Sequence, residues 1–183
     1  MNSFTIGPET ERLEHRAFTV DDASEFFALN GNPDVMQWTG EPILTSLEAA
    51  RDAIANYPDF DEVGYGRWAC ILKQTGMIIG FCGLKYLPEL DAVDVGYRFQ
   101  PEYWGCGFAT EACSASLAFG FETLLLDEIV GFVLPKNVRS IRVLEKVGMQ
   151  PDGELMYDGL LALRFVKRVP RICEPADARE PPS

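Results

Sequence analysis

Two glycines at alternate positions, Gly105 and Gly107, stand within Tyr103-Trp104-Gly105-Cys106-Gly107-Phe108-Ala109-Thr110-Glu111-Ala112, directly before a helix-like run. Glycine lets the backbone pass close to a bulky group, and the first turn of a helix offers unpaired N–H groups and the positive end of its dipole. This stretch is therefore, in outline, a cradle for a phosphate-sized anion. Other chemistries have little to work with. His15 is the only histidine, and it falls in a half-buried, strand-like segment, so a Ser-His-Asp or Cys-His pair is not expected. The cysteines Cys70, Cys82, Cys106, Cys113 and Cys173 are odd in number and include no C-x-x-C pair, which argues against a zinc site, any other metal site or a disulfide framework.

Two nucleotide-binding readings of the glycine loop fail on spacing. An ATPase-type loop needs Gly-Lys-Ser/Thr where Phe108-Ala109-Thr110 stands. A dinucleotide fold needs a third glycine and, about 20 residues on, an acidic residue within a parallel βαβ unit near the start of a domain.

At 183 residues, 47% apolar and 24% charged, the chain is long enough for one domain with a real core, expected over 1–172, followed by a frayed tail at 173–183 rich in proline and charge. The 28 acidic against 16 basic residues give a net charge of −12, which serves solubility and disfavours nucleic acid or anionic lipid as partner, a cationic or neutral partner fitting better. No apolar run approaches the roughly 20 residues that span a bilayer, and Met1 to Pro8 lacks a basic then apolar leader, so no membrane association and a cytoplasmic location are expected.

Several elements must position the loop. Arg12 to Phe18 reads as a strand, and Thr19-Val20-Asp21-Asp22 as the start of a helix over Ala23 to Asn30 that Asn30-Gly31-Asn32-Pro33 ends. Asp34 to Pro42 reads as a connection whose Trp38 is either core or the wall of an acceptor pocket. Thr45-Ser46-Leu47-Glu48 has capping-box spacing before a second helix that runs to Pro58. Gly64 to Lys73 and Met77 to Leu87, separated by Gln74-Thr75-Gly76, form a hairpin signature, and Ala92 to Phe99 a third strand. Gly80, Gly83 and Gly96 within these strands suggest bulges or close backbone approaches. After the glycine loop come a helix with Cys113, Leu117, Phe121 and Leu124 on one face, a strand from Ile129 to Leu134, a helix from Pro135-Lys136-Asn137 to Gly148, and strands near Leu155 and over Leu161 to Val169. This order implies an α/β (α+β) fold, a mixed sheet with helices on both faces.

Five segments together resemble the GNAT N-acetyltransferase superfamily, nearest to its RimJ/RimL-like protein N-terminal acetyltransferases, over Arg12 to Val169. They are Arg12-Leu13, Ile79-Gly80-Phe81-Cys82-Gly83-Leu84, Val95-Gly96-Tyr97, Tyr103 to Ala112, and Asn137 through Ser140 to Leu144-Glu145-Lys146-Val147-Gly148-Met149. The resemblance implies a mostly antiparallel sheet of about six or seven strands, with a splayed pair that binds acyl-CoA. It implies direct acetyl transfer from acetyl-CoA to a primary amine, a protein or peptide N-terminus or a small amine; the sequence itself leaves monomer and homodimer both open. A cationic acceptor suits the acidic chain.

The same resemblance assigns roles. Trp104, Gly105, Cys106, Gly107, Phe108, Ala109 and Thr110 hold the pyrophosphate through backbone N–H groups. Cys106 stands where a basic residue is frequent in the family. A break in the strand at Val95, Gly96 and Tyr97 frees an N–H to polarise the thioester carbonyl, and Gly96 suits such a bulge. Asp94 is the base for the amine, directly or through water, with Glu102 as second candidate. Many members carry a Tyr seven residues after the Asn of the last helix, where this chain has Leu144. Ser140, three residues after Asn137, then faces the sulfur, while Asn137 binds the pantetheine arm or caps its helix. The missing Tyr leaves open an alternative, a non-catalytic acyl-CoA-binding or regulatory domain.

Overall fold

The computed structural model describes residues 3–157 and 159–169; the tail expected over 173–183, with Cys173, lies outside them. Strand β1 (Leu13–Arg16) leads through a 3-10 turn at Val20–Asp22 into α1 (Ala23–Asn30). The Asp22 carboxylate fixes this entry. It accepts the Thr19 N–H at 2.8 Å and a fork of two Arg16 N–H donors at 2.6 and 2.8 Å.

The connection expected over 34–42 is helical at its start. Asn32 Oδ1 accepts the Asp34 N–H at 2.9 Å, and Pro33, which has no N–H to leave unpaired, opens α2 (Pro33–Met36). The proline that closes one helix begins the next. Helix α3 (Leu47–Ala55) is capped by Ser46, whose Oγ accepts the Ala49 N–H at 3.1 Å, and α4 (Asp59–Glu62) follows.

The remaining elements are β2 (Arg67–Leu72), β3 (Met77–Leu87), β4 (Ala92–Phe99), α5 (Phe108–Glu122), β5 (Glu128–Val133), α6 (Val138–Lys146), β6 (Gln150–Tyr157) and β7 (Leu160–Arg168). Seven strands form one sheet in the order β1-β2-β3-β4-β5-β7-β6, every neighbouring pair antiparallel except β4 and β5. The mixed, mostly antiparallel sheet expected from the sequence is present.

Helices cover both faces. On one, Leu29 of α1 and Val35 of α2 pack on Phe81. On the other, α5 lies so close that a Cβ at Gly120 would sit 2.5 Å from Ile129 Cδ1, and α6 presses Leu144 onto Gly131. Leu84, Leu117, Ile129 and Leu144 are buried there, each such side chain contributing about 1.5–3 kcal/mol.

The strand glycines serve close approaches. A Cβ at Gly80 would lie 2.2 Å from the Arg98 carbonyl oxygen, and one at Gly83 2.2 Å from that of Gly66. The register shift falls between Cys70 and Ile71, where β2 meets β3 near Gly80. β4 itself pairs with β3 without interruption from Phe99 to Ala92, so the bulge expected at Val95 to Tyr97 is not formed against β3. The break is on the other edge. β4 and β5 share one paired position, Asp94 with Val130, and beyond it the two parallel strands diverge.

Candidate active site

A cleft of about 1450 Å³ runs from the glycine loop, through the gap between β4 and β5, to α1, α2 and the segment after them. On the loop side, Gly105 and Gly107 have φ of 78° and 86°, the left-handed region that other L residues rarely adopt. Gly107 is the residue before α5, so the helix N-terminus opens on this cleft.

The loop is held from three directions. Trp104 Nε1 donates to the Phe99 carbonyl at 2.7 Å, the Arg139 guanidinium lies 5.0 Å over the Trp104 ring, and Arg12 Nη1 donates to the Cys106 carbonyl at 3.0 Å. Arg12 is in turn held by Glu111 at 2.6 Å and stacks 4.2 Å over Phe108. Trp104, Gly105, Gly107, Phe108, Ala109 and Thr110 line the cleft, whereas the Cys106 side chain is exposed outside it.

The charge that Cys106 does not supply has counterparts that sequence reasoning missed. Lys136, Arg139, Arg142 and Lys146 line the same cleft. The spacing of Arg139, Arg142 and Lys146 by three and four positions, with Lys136 just ahead of the helix, is the signal that would have found them, since residues so spaced share one helix face.

At the vertex of the splayed strands, the Asp94 carboxylate accepts the Phe132 N–H of β5 and receives Arg67 Nη2 at 2.5 Å. Arg67 reaches it by crossing Gly96, where a Cβ would stand 2.6 Å from three guanidinium atoms. Gly96 thus makes room for a buried cation, and no bulge is needed to explain it. Burial pushes the Asp94 carboxyl above its ordinary value, against the pull of Arg67 and the Phe132 N–H. Glu102 is exposed on the turn after β4 and does not line the cleft.

Val95, Gly96 and Tyr97 line the open edge of β4 beyond that vertex. The Tyr97 hydroxyl crosses to α6, 2.8 Å from Ser140 Oγ and 3.1 Å from the Ser140 carbonyl oxygen. Burial drives the Tyr97 phenol well above its ordinary pKa. Asn137 caps α6, its Oδ1 accepting the Ser140 N–H at 3.2 Å, which leaves the amide NH₂ as its group for a ligand. Leu144, at the position of the missing Tyr, is core against Gly131. The structure thus brings Asp94, Tyr97, Asn137 and Ser140 to one cleft, and the Tyr97–Ser140 contact was not read from the sequence.

On the far side, Trp38 is half-buried and lines the cleft with Phe18, Phe26 and Phe81. Gly40 touches the β6–β7 hairpin, a Cβ there lying 2.7 Å from Leu160 Cδ1. His15 is buried away from the cleft with Nδ1 2.5 Å from the Pro8 carbonyl, and burial lowers its pKa. Among the described residues no group of three or more His, Cys, Asp or Glu could hold a metal, and no helix is long and apolar enough to cross a membrane.

Residues 12–150 match the acetyltransferase (GNAT) domain. The uncharacterized N-acetyltransferase p20 of Bacillus licheniformis is 32% identical over 148 residues, 80% of this chain and 83% of its own. Spermidine N(1)-acetyltransferase of Escherichia coli is 35% identical over 156 residues, 82% of this chain and 80% of its own. The fold is that of the RimJ/RimL-like ribosomal-protein-S5-alanine acetyltransferase of Vibrio fischeri, with a TM-score of 0.71 at 20% identity over 87% of this chain and 94% of that one. With the glycine loop, the splayed strands and the domain match in agreement, the chain belongs to the GNAT acetyltransferase family.

Proposed function

We propose that the protein transfers an acetyl group directly from acetyl-CoA to a primary amine, the donor entering along the glycine loop and the acceptor from the side of Trp38. The observation that carries this reading is the divergence of β4 from β5 beyond Asp94 and Val130, which joins the two halves of the cleft. The donor supplies the thioester. The residues fit it: left-handed glycines, an open helix N-terminus and a basic face on α6 suit a pyrophosphate.

The chemistry is an exchange of one bond for another. The amine nitrogen bonds to the acetyl carbon, the C–S bond breaks, the amine gives up one proton, and the CoA thiolate leaves to be protonated by water. Asp94 takes the amine proton, directly or through water; burial makes it a stronger base than an ordinary carboxylate, and Arg67 keeps it ionised until then. The unpaired edge of β4 at Val95 to Tyr97 polarises the carbonyl oxygen. Ser140, backed by Tyr97, donates a hydrogen bond to the departing thiolate. The Tyr97 phenol, held well above its ordinary pKa, supports Ser140 through this contact and keeps its own proton.

The test is to incubate the protein with acetyl-CoA and a panel of amines and to follow free thiol. Amine-dependent thiol release is the expected result. Tight CoA binding with no turnover on any amine would favour the non-catalytic alternative.

A further inference from the structure

Arg98 extends from β4 on the same face as Asp94 and Gly96, toward α1 and α2, and its side chain is only 13% exposed. One side of its guanidinium is fixed by the fold. Nη1 donates to Asn30 Oδ1 at 2.6 Å and approaches Met36 Sδ at 3.7 Å, and the group lies 5.2 Å over the Phe81 ring. Asn30 is itself anchored, its Nδ2 donating to the Phe26 carbonyl at 2.9 Å.

The other side is different. Nη2 meets Glu41 Oε1 at 2.5 Å, and Glu41 is 60% exposed, on the irregular segment between α2 and α3. A buried guanidinium needs a carboxylate partner, because leaving it unpaired is costly. The exposed residue from the irregular segment is the exchangeable half of this pair. Arg98, Asn30, Met36, Phe81 and Glu41 all line the acceptor side of the cleft.

We propose that Arg98 is the anion-binding subsite of the acceptor, that Glu41 occupies it until the acceptor arrives, and that the acceptor is an amine carrying a carboxylate. This rests on the acetyl-transfer reading given above. Asp94 and Arg98 are four positions apart on one strand face, roughly 13 Å between Cα atoms. An amine presented at the open strands with its carboxylate on Arg98 is therefore remote from that carboxylate, as the terminal amine of a diamino acid is. The exposed carboxylates Asp34 and Asp61 at the cleft suit the positive charge such a molecule also brings.

Matched acceptors test this: lysine with cadaverine and ornithine with putrescine, which differ only in the carboxylate, with spermidine and a short peptide alongside, in wild type, Arg98→Gln and Glu41→Gln. Wild type is expected to favour the carboxylate-bearing member by about tenfold or more in kcat/KM, and Arg98→Gln to bring the ratio to about one. Glu41→Gln, which empties the subsite, should lower KM for lysine or ornithine by about threefold or more and leave that for the diamines in place. A wild-type preference for the diamines, spermidine or the peptide overturns the proposal. So does an Arg98→Gln variant that slows both members of a pair equally, which would mark Arg98 as purely structural. If that variant does not fold, an unchanged KM in Glu41→Gln overturns it. Absence of thiol release with every amine would instead refute the transfer reading itself.

Discussion

Tyr97 of β4 and Ser140 of α6 meet hydroxyl to hydroxyl at 2.8 Å, across the opening where the sheet parts. Neither is near the other in the chain, and each comes from a different wall of the cleft. Replacing Ser140 by Ala or Tyr97 by Phe should lower kcat by at least about tenfold, roughly 1.4 kcal/mol of transition-state stabilisation. Because the two act as one donor unit, the double variant should lose little more than either single one. Steady-state kinetics on the three variants checks this; fully additive losses would show two independent roles.

Gly96→Ala tests how the Arg67–Asp94 pair is held. The new methyl would stand 2.6 Å from the guanidinium, so the pair must move or the strand must give. A cost of about 1–3 kcal/mol in folding stability is expected from overpacking, with reduced kcat. Chemical denaturation and rate measurement together check it, and a variant as stable and active as wild type would refute the account.

Asp94→Asn should lower kcat/KM by at least about tenfold and remove the acidic limb of its pH profile. Burial raises this carboxyl above its ordinary value of 3.8, so its base form is lost on acidification at a higher pH than an exposed aspartate would show. A profile whose acidic limb survives the substitution would assign that limb to another group.

Gly107→Val should raise KM for acetyl-CoA, since a β-branched residue is strained at a φ of 86° and its Cβ would stand 3.4 Å from Arg12 Nη2, which holds the loop. An unchanged KM would count against the loop as the phosphate site.

Asp22 sets an acid limit on stability. Hydrogen bonds from Arg16 lead the effects that hold its carboxyl below the ordinary 3.8. Its contribution is therefore present above that value and is lost as pH falls through the lowered one. Asp22→Asn should cost about 1 kcal/mol through the lost ion pair with Arg16 at neutral pH and should flatten the decline of Tm below about pH 4. Thermal melts across pH check both.

What was legible in the sequence was mostly local. The glycine loop, the helix that follows it and the Asn137 cap are written in neighbouring residues, and each stands where expected. Gly96 was read as a bulge because strand glycines often mark one; its actual service is to Arg67, a residue of another strand, and no local pattern announces that. The short helix α2 was missed because Pro33 signals both an end and a beginning. Arg98 with Glu41, and Tyr97 with Ser140, are contacts between distant segments, and only the assembled sheet makes them neighbours.

The indole of Trp104 has a wider reach than its place in the loop suggests. Its N–H is fastened to the last residue of β4, and Arg139 of α6 rests on its ring. Strand, phosphate loop and helix are thereby pinned at a single axle, so the three cannot be adjusted one at a time. Mutational change at this ring will be pleiotropic: donor affinity and turnover will shift together, and no second-site change in one wall alone will restore both.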